Sequence, residues 1–451
     1  MAVPIRNISS PGYTDDLQFK TDTRAMSITT ALFFMVGFLT CLNDLVTPHL
    51  KSIFALDYAE AMLVQFSFFT SYFVFSYPSG AIVEKFGYKK TMVIGLLVMA
   101  TGASGFILAA KLAVFGIFLA ALIVLAAGIT VVQVSINPYV AVIGPAATAS
   151  SRLNLAQGFN SFGTFIAPVL GSLVILSGAE TLSPAAMSAL SAAKLQAYRE
   201  LQAHTVVLPY FGIALVLVLL AITLSSIHLQ PRRAAAERTQ DFRPGAFAEA
   251  LSEPDSIWRH RWLLFGAAGI FTYVGAEVSI GSLLVNYMGL RNIGNLEPSH
   301  AARYLMLYWG GAMCGRFIGS GVLKRIKTGK VLVFNAVIAF LLVILALVSH
   351  GHTAMFALLS VGLFNSVMFP SIFSLGIQGL GSLTSKGSSI LIAAVVGGAV
   401  IPETTGKLAD IIGLHHAFIL PALCYVYIAA FGIANIGRPE ASDVLLPVEP
   451  I

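Results

Sequence analysis

The sequence predicts an all-α membrane protein: twelve transmembrane helices in two pseudo-symmetric six-helix halves. Three observations carry this. The 451 residues are 57% hydrophobic and only 11% charged, against about 25% charged in soluble proteins, with a mean hydropathy of +0.83. The apolar runs are each close to the roughly 20 residues that cross a bilayer. The longest polar stretch falls between the sixth and seventh runs.

The runs follow one another at 27–50, 62–83, 91–110, 114–143, 155–176 and 206–227, then at 262–288, 301–322, 331–348, 355–378, 389–408 and 416–436. A polar tail, 1–26, precedes the first; it carries Asp15, Asp16 and Lys20 where a cleavable signal would be apolar, so the first span is expected to be retained. The arginine-rich stretch 229–261, with Pro231, Pro244 and Pro254, is the natural linker between an N-terminal half (27–228) and a C-terminal half (262–436), and 437–451 forms a second tail.

Net charge is +6, with a pI near 9.2. With both termini cytoplasmic, 19 Lys and Arg fall in inside loops and tails and 7 in outside loops. The positive-inside rule therefore fixes the orientation, and the basic excess reflects topology, with no nucleic-acid partner implied.

An internal duplication is expected from three coincident offsets. Asp44 and Glu277 sit midway along the first span of each half, 277 − 44 = 233 residues apart. Gln133 with Pro138 and Asn365 with Pro370 repeat an amide five residues before a proline, at offsets of 232.

The residues able to carry chemistry lie inside these spans. Asp44, in FLTCLNDLVTPHL, shares a helix face with Thr40 and Thr47, with Asn43 beside it. A carboxylate there is costly when ionised and unpaired, so it should face the interior, and burial favours its protonated form. It is the candidate for taking a proton from one side and releasing it to the other; a structural carboxylate is the alternative. Gln133 and Asn137 lie one turn apart, Gln157 and Asn160 follow on the fifth span, and Gln65 adds an amide on the second. Singly, such amides are as well explained by interhelical hydrogen bonds. Together, beside aromatic residues, they suit a neutral polyhydroxylated ligand.

In the second half Tyr273 and Glu277 are one turn apart, and Trp309, Arg316 and Asn365 come from later spans. Arg316 is expected to pair with Glu277 or Asp44. Glu403 and Lys407 read as an interfacial ion pair, and His415 and His416 as solvated imidazoles in an outer turn. Cys41, Cys314 and Cys424 have no metal or disulfide spacing and read as small core residues. No phosphate loop, zincin helix or nucleophile elbow occurs, so neither an enzyme, nor a cofactor, nor a metal site is expected.

The segment GAIVEKFGYKK, 80–90, closes the second span and turns into the third; its small residues allow close helix approach, and Glu84 can meet a helix N-terminus or a base. It is similar to the G-x-x-x-[DE]-[RK]-x-G-x-[RK]-[RK] signature of the major facilitator superfamily, with glutamate for the usual aspartate. The runs TCLNDLVTPHLKSIF, QVSINPYVAVIGP, RLNLAQGFNSFGT, GAEVSIGSLLV, YWGGAMCGRFIGS and GLFNSVMFPSIFSLG resemble the fucose:proton symporter family of that superfamily, most closely its bacterial glucose/galactose transporter branch.

The resemblance implies a major facilitator fold and a multi-pass, monomeric inner-membrane sugar symporter working by alternating access. Asp44 matches the family's proton-linked aspartate. Gln133 stands where fucose symporters carry a second carboxylate and agrees with the glucose/galactose branch; Asn137, Gln157 and Asn160 match polar cavity positions. The expected partners are a hexose, a coupling proton and the bilayer. The hexose would meet Asn43, Gln65, Gln133, Asn137, Gln157 and Asn160, together with Glu277, Trp309 and Asn365. Sodium as coupling ion, N-acetylglucosamine as substrate, an uncoupled facilitator and a sugar sensor stay open as alternatives.

Overall fold

The structure, a computed structural model, describes residues 21–54, 58–112, 114–171, 207–227 and 256–438, with a few single positions between 190 and 198; the side chains of 42–63, 65, 168–171 and 298–299 fall outside that description. The described chain is helical, with no strand. The helices are α1 (Thr23–Phe54), α2 (Tyr58–Leu112), α3 (Phe115–Val142), α4 (Ala149–Gly171), α5 (Val207–Ser226), α6 (Arg261–Met288) and α7 (Pro298–Val322). There follow α8 (Thr328–Val348), α9 (Gly351–Asn365), α10 (Met368–Ile377), α11 (Thr384–Ala393), α12 (Gly397–Ile412), α13 (Leu414–Ala417) and α14 (Ile419–Ile436).

All twelve apolar runs fall on these helices, the fifth as far as Gly171. Nine described segments are apolar and long enough to cross a membrane, and the difference from twelve has physical causes. At 55 residues α2 would be about 80 Å long if straight, far beyond one crossing. Gly87 breaks it in two with φ 76° and ψ 168°, a backbone that a residue with a Cβ rarely adopts. Helices α4 and α7 are too polar to qualify on composition, because Arg152, Asn154, Gln157 and Asn160 lie on one and Arg303 and Arg316 on the other.

Two runs expected to be continuous are interrupted. The 355–378 run divides at Ser366–Val367 into α9 and α10, and the 389–408 run passes through a 3-10 turn at Ala394–Val396 between α11 and α12. Apolar periodicity does not see such breaks, since the side chains on both sides are equally apolar.

Packing repeats between the halves. Helix α1 lies along α4 and, correspondingly, α6 along α12; α2 packs on α5 as α8 does on α14; α3 packs on α2 as α9 does on α7 and α8. The halves meet chiefly where α4 lies against α7 and α2 against α11, two contacts that the same pseudo-twofold relation exchanges. Helices α1 and α4 approach to backbone contact. A Cβ on Gly37 would collide with the Asn160 carbonyl, and one on Gly163 with the Phe34 carbonyl. Small residues permit such approach where lipid supplies no hydrophobic drive between helices.

Three expectations about single residues can be compared directly. Glu403 and Lys407 form an exposed pair at 3.2 Å. His416 is exposed, but His415 is buried: Nε2 bonds the Leu347 carbonyl at 2.9 Å, Nδ1 meets the Tyr287 hydroxyl at 3.2 Å, and the ring stacks on His350 at 5.3 Å. The short α13 turns that ring inward between α6 and α8, where it satisfies backbone that apolar neighbours cannot. Cys424 is buried and Cys41 partly so, whereas Cys314 is exposed, on one face of α7 with the exposed Leu307 and Ile318.

Candidate functional site

The site residues of the first half stand on α1 to α4. Asn43 and Asp44 lie on α1 and Gln65 on α2, with side chains outside the described residues. From Gln133 onward the structure gives a continuous polar line. Gln133 Nε2 donates to the Tyr72 hydroxyl at 3.2 Å, with Thr40 of α1 beside that hydroxyl. Asn137 Nδ2 donates to the Gln133 carbonyl at 2.8 Å and to Gln133 Oε1 at 3.3 Å. Gln157 Nε2 donates to Asn137 Oδ1 at 3.4 Å. Helical spacing accounts for this, since Gln133 and Asn137 share a face of α3; Pro138, lacking an N–H, leaves the Val134 carbonyl four residues earlier to the Ser388 hydroxyl of α11.

Asn160 takes another direction. Its Nδ2 donates to the Phe33 carbonyl on α1 at 3.0 Å, next to the close approach of the two helices, and so joins α1 to α4. Thr164 adds a bond to the Gly37 carbonyl at 3.3 Å.

Arg316 of α7 connects the halves. Nη1 donates to the Ser161 hydroxyl and to the Gln157 carbonyl at 3.5 Å, both on α4, while Nε donates to the Ser366 carbonyl at 3.2 Å. Its Nη2 lies 3.8 Å from Glu277 Oε1 on α6, and both side chains are almost buried, 11% and 13% exposed. Of the two expected partners for Arg316, the structure joins it to Glu277. The buried Oε1 accepts no hydrogen bond besides this ion pair, and the hydroxyl of Tyr273, one turn away and beside the same two groups, makes none within hydrogen-bonding geometry.

Beyond Glu277 the line continues. Tyr308 donates to the Glu277 carbonyl at 3.1 Å, Asn365 Nδ2 donates to the Tyr308 hydroxyl at 2.9 Å, and Tyr425 donates to Asn365 Oδ1 at 2.8 Å. Asn365 is completely enclosed, held between two tyrosines. Trp309 packs edge-on to Tyr308, ring centroids 5.1 Å apart, over Gly281, and stays partly exposed. The structure thus brings Gln133, Asn137, Gln157, Glu277 and Asn365 into one network, with Trp309 beside it. Sequence reasoning missed Tyr72, Tyr308 and Tyr425; a tyrosine in an apolar helix looks like a filler until its hydroxyl's partner is known.

The halves also meet through short hydroxyls nearer the basic turns. Ser150 bonds both Thr328 and Ser374, at 2.9 and 2.6 Å. Ser151 donates to the Ser320 carbonyl at 2.6 Å, Asn154 to the Arg316 carbonyl at 2.7 Å, and Ser388 to the Val134 carbonyl at 2.8 Å. Glu84 lies 3.7 Å from Lys386 on the first turn of α11, so a base meets the carboxylate. Arg152 closes the end of α3 by donating to the carbonyls of Val140, Ala141 and Pro145 at 3.1, 2.7 and 2.8 Å. Burial pushes its guanidinium down to about 10, so it stays charged at neutral pH.

A bundle of apolar helices whose two related halves are bridged by a buried polar network is the build of a multi-pass membrane transporter, not of an enzyme. The chain belongs to the Major Facilitator Superfamily, whose sequence pattern matches residues 26–402. It is 44% identical over 432 residues to the glucose/galactose transporter of Brucella abortus, covering 96% of this chain and 98% of that one. It is 33% identical over 405 residues to the L-fucose-proton symporter of Escherichia coli, covering 89% and 90%. The crystal structure of the Escherichia coli fucose:proton symporter superposes with a TM-score of 0.81 at 31% identity, covering 92% of this chain and 98% of that one.

Proposed function

We propose that the protein is a secondary active sugar transporter that imports a neutral hexose of the glucose or galactose type by proton-coupled alternating access. The observation that carries this is the amide line Gln133, Asn137 and Gln157 running into Arg316 and Glu277. Amides both donate and accept, as sugar hydroxyls do. Glu277 and Tyr273, enclosed beside Arg316 in this conformation, supply an acceptor and a donor that come within a guest's reach when the halves part. The names of the relatives, glucose/galactose transporter and L-fucose-proton symporter, support the substrate class and the ion.

In this reading the halves 27–228 and 262–436 rock about the network, tethered by the linker 229–261. The tails 1–26 and 437–451 and the basic turns face the cytoplasm of an inner-membrane monomer. The hydroxyl contacts of Ser150, Ser151 and Ser388 hold the cytoplasmic end shut. Asp44 is protonated from outside. The hexose then binds Asn43, Gln65, Gln133, Asn137, Gln157 and Asn160, with Glu277, Trp309 and Asn365 closing from the other half. Neutralising Asp44 lowers the cost of enclosing it, and proton and sugar leave together inside.

Counterflow in liposomes with a panel of hexoses, repeated under imposed proton and sodium gradients, tests this. Glucose or galactose should exchange, and a proton gradient should drive accumulation. Accumulation driven by sodium alone would remove the proton, and exchange of no hexose would remove the substrate.

A further inference from the structure

Outside the polar network, two arginines gather on one indole with no acidic partner among the described residues. At the start of α6 the Arg261 guanidinium lies 5.2 Å from the Trp262 ring centroid, and Arg438, just after α14, lies 4.8 Å from the same ring. Arg438 Nη1 donates to Asn435 Oδ1 at 2.8 Å and to the Leu375 carbonyl at 3.3 Å, leaving Nε and Nη2 unengaged among the described residues. Among the described residues neither arginine forms an ion pair, and Arg261 engages the indole alone. Burial, and then the positive charge of Arg261, hold the Arg438 guanidinium below the ordinary arginine range. Two cations sharing one indole repel each other, and an anion between them would relieve that repulsion.

The surroundings indicate which anion. The cluster stands at the end of the face formed by α6 and α14, where Phe265 is 49% and Ile433 59% exposed; such a face in a membrane protein meets acyl chains. Trp258, 67% exposed on the neighbouring turn, and the partly exposed Trp262 sit where that apolar face gives way to polar chain, the depth at which tryptophan meets lipid headgroups. Arginine pairs with phosphate through several fixed donors and stacks on aromatic rings.

We propose that Arg261, Trp262 and Arg438 form a binding site for the phosphodiester of an anionic phospholipid, whose acyl chains lie along Phe265 and Ile433. The inference rests on the chain's place in a bilayer and not on the sugar it carries, so a negative counterflow result leaves it standing. Basic pockets at helix ends hold anionic headgroups in this manner.

The test uses the full chain with Trp309→Phe, which leaves Trp258 and Trp262 as the fluorophores, in vesicles of phosphatidylcholine and phosphatidylglycerol. At equal mole fraction, brominated phosphatidylglycerol should occupy the site on the order of tenfold better than brominated phosphatidylcholine. The excess quenching should vanish in Arg261→Gln with Arg438→Gln, and millimolar inorganic phosphate should not reverse it. Equal quenching by the two lipids in the arginine-bearing protein overturns the proposal without any arginine variant having to fold. So does a preference that survives the double substitution, or displacement by free phosphate.

Discussion

Arg316 and Glu277 face each other across 3.8 Å on adjacent helices of one half, yet the same guanidinium bonds the Ser161 hydroxyl and the Gln157 carbonyl in the other half. One side chain therefore belongs to both moving bodies. Its bonds to α4 break whenever the halves separate at this depth, and the carboxylate keeps its charge compensated while they do.

Removing one member of that pair strands the other. Arg316→Met should destabilise the protein by about 3 kcal/mol or more, because an uncompensated buried carboxylate remains, whereas Arg316→Met with Glu277→Leu should recover much of the loss. Thermal unfolding in detergent across the double-mutant cycle checks this; a double variant no more stable than Arg316→Met alone would contradict it.

Gln133 is the amide whose loss should be felt by substrate more than by the fold. In Gln133→Ala the Asn137 amide keeps its bond to the residue-133 backbone carbonyl, and the Tyr72 hydroxyl still has Thr40 beside it. The missing hydrogen bonds to sugar, each about 1 kcal/mol, should raise KM for uptake about fivefold to thirtyfold with melting temperature nearly unchanged. Transport kinetics and melting on the same preparation separate the two effects.

For Asp44→Asn, a permanently neutral side chain, sugar exchange in counterflow should persist while accumulation against a gradient is lost. Abolished exchange in a well-folded preparation would instead make Asp44 a sugar ligand.

Ser150→Ala deletes both hydroxyl contacts, to Thr328 and Ser374. At about 1 kcal/mol each, the equilibrium between shut and open at that end should shift roughly fivefold to thirtyfold toward open. Spin labels at Phe86→Cys and Ile326→Cys, two exposed positions in opposite halves, in a background lacking the native cysteines, report this as a longer-distance population.

Arg152→Ala should cost about 2–4 kcal/mol, since the carbonyls of Val140, Ala141 and Pro145 lose a charged donor in a buried place. Lysine should not restore it, because a point ammonium cannot reach three carbonyls set around a planar fork.

Much of this was legible in the sequence because membrane helices advertise themselves by length and composition. The Gly87 break stands in the GAIVEKFGYKK turn, and of the two partners open to Glu84, a base or a helix N-terminus, the structure gives it a base, Lys386. Arg316 was narrowed to two carboxylates. Partnerships between distant helices were not legible. Nothing in the spacing of Ser150, Thr328 and Ser374 says that they touch, and Asn160 looked equivalent to Gln157, three residues earlier, until its amide was found on the Phe33 carbonyl. His415 was read as solvated because a turn is usually wet; its burial depends on Leu347 and Tyr287, 68 and 128 residues away.

The interlock of Gly37 with the Asn160 backbone, and of Gly163 with that of Phe34, leaves α1 and α4 no room to slide past each other. Whatever motion unlatches the basic end must carry the helix of Asp44 and the helix of Gln157 as one rigid wall. The two helices then keep one register throughout the cycle, and whatever lies against them meets the same wall facing outward as facing inward.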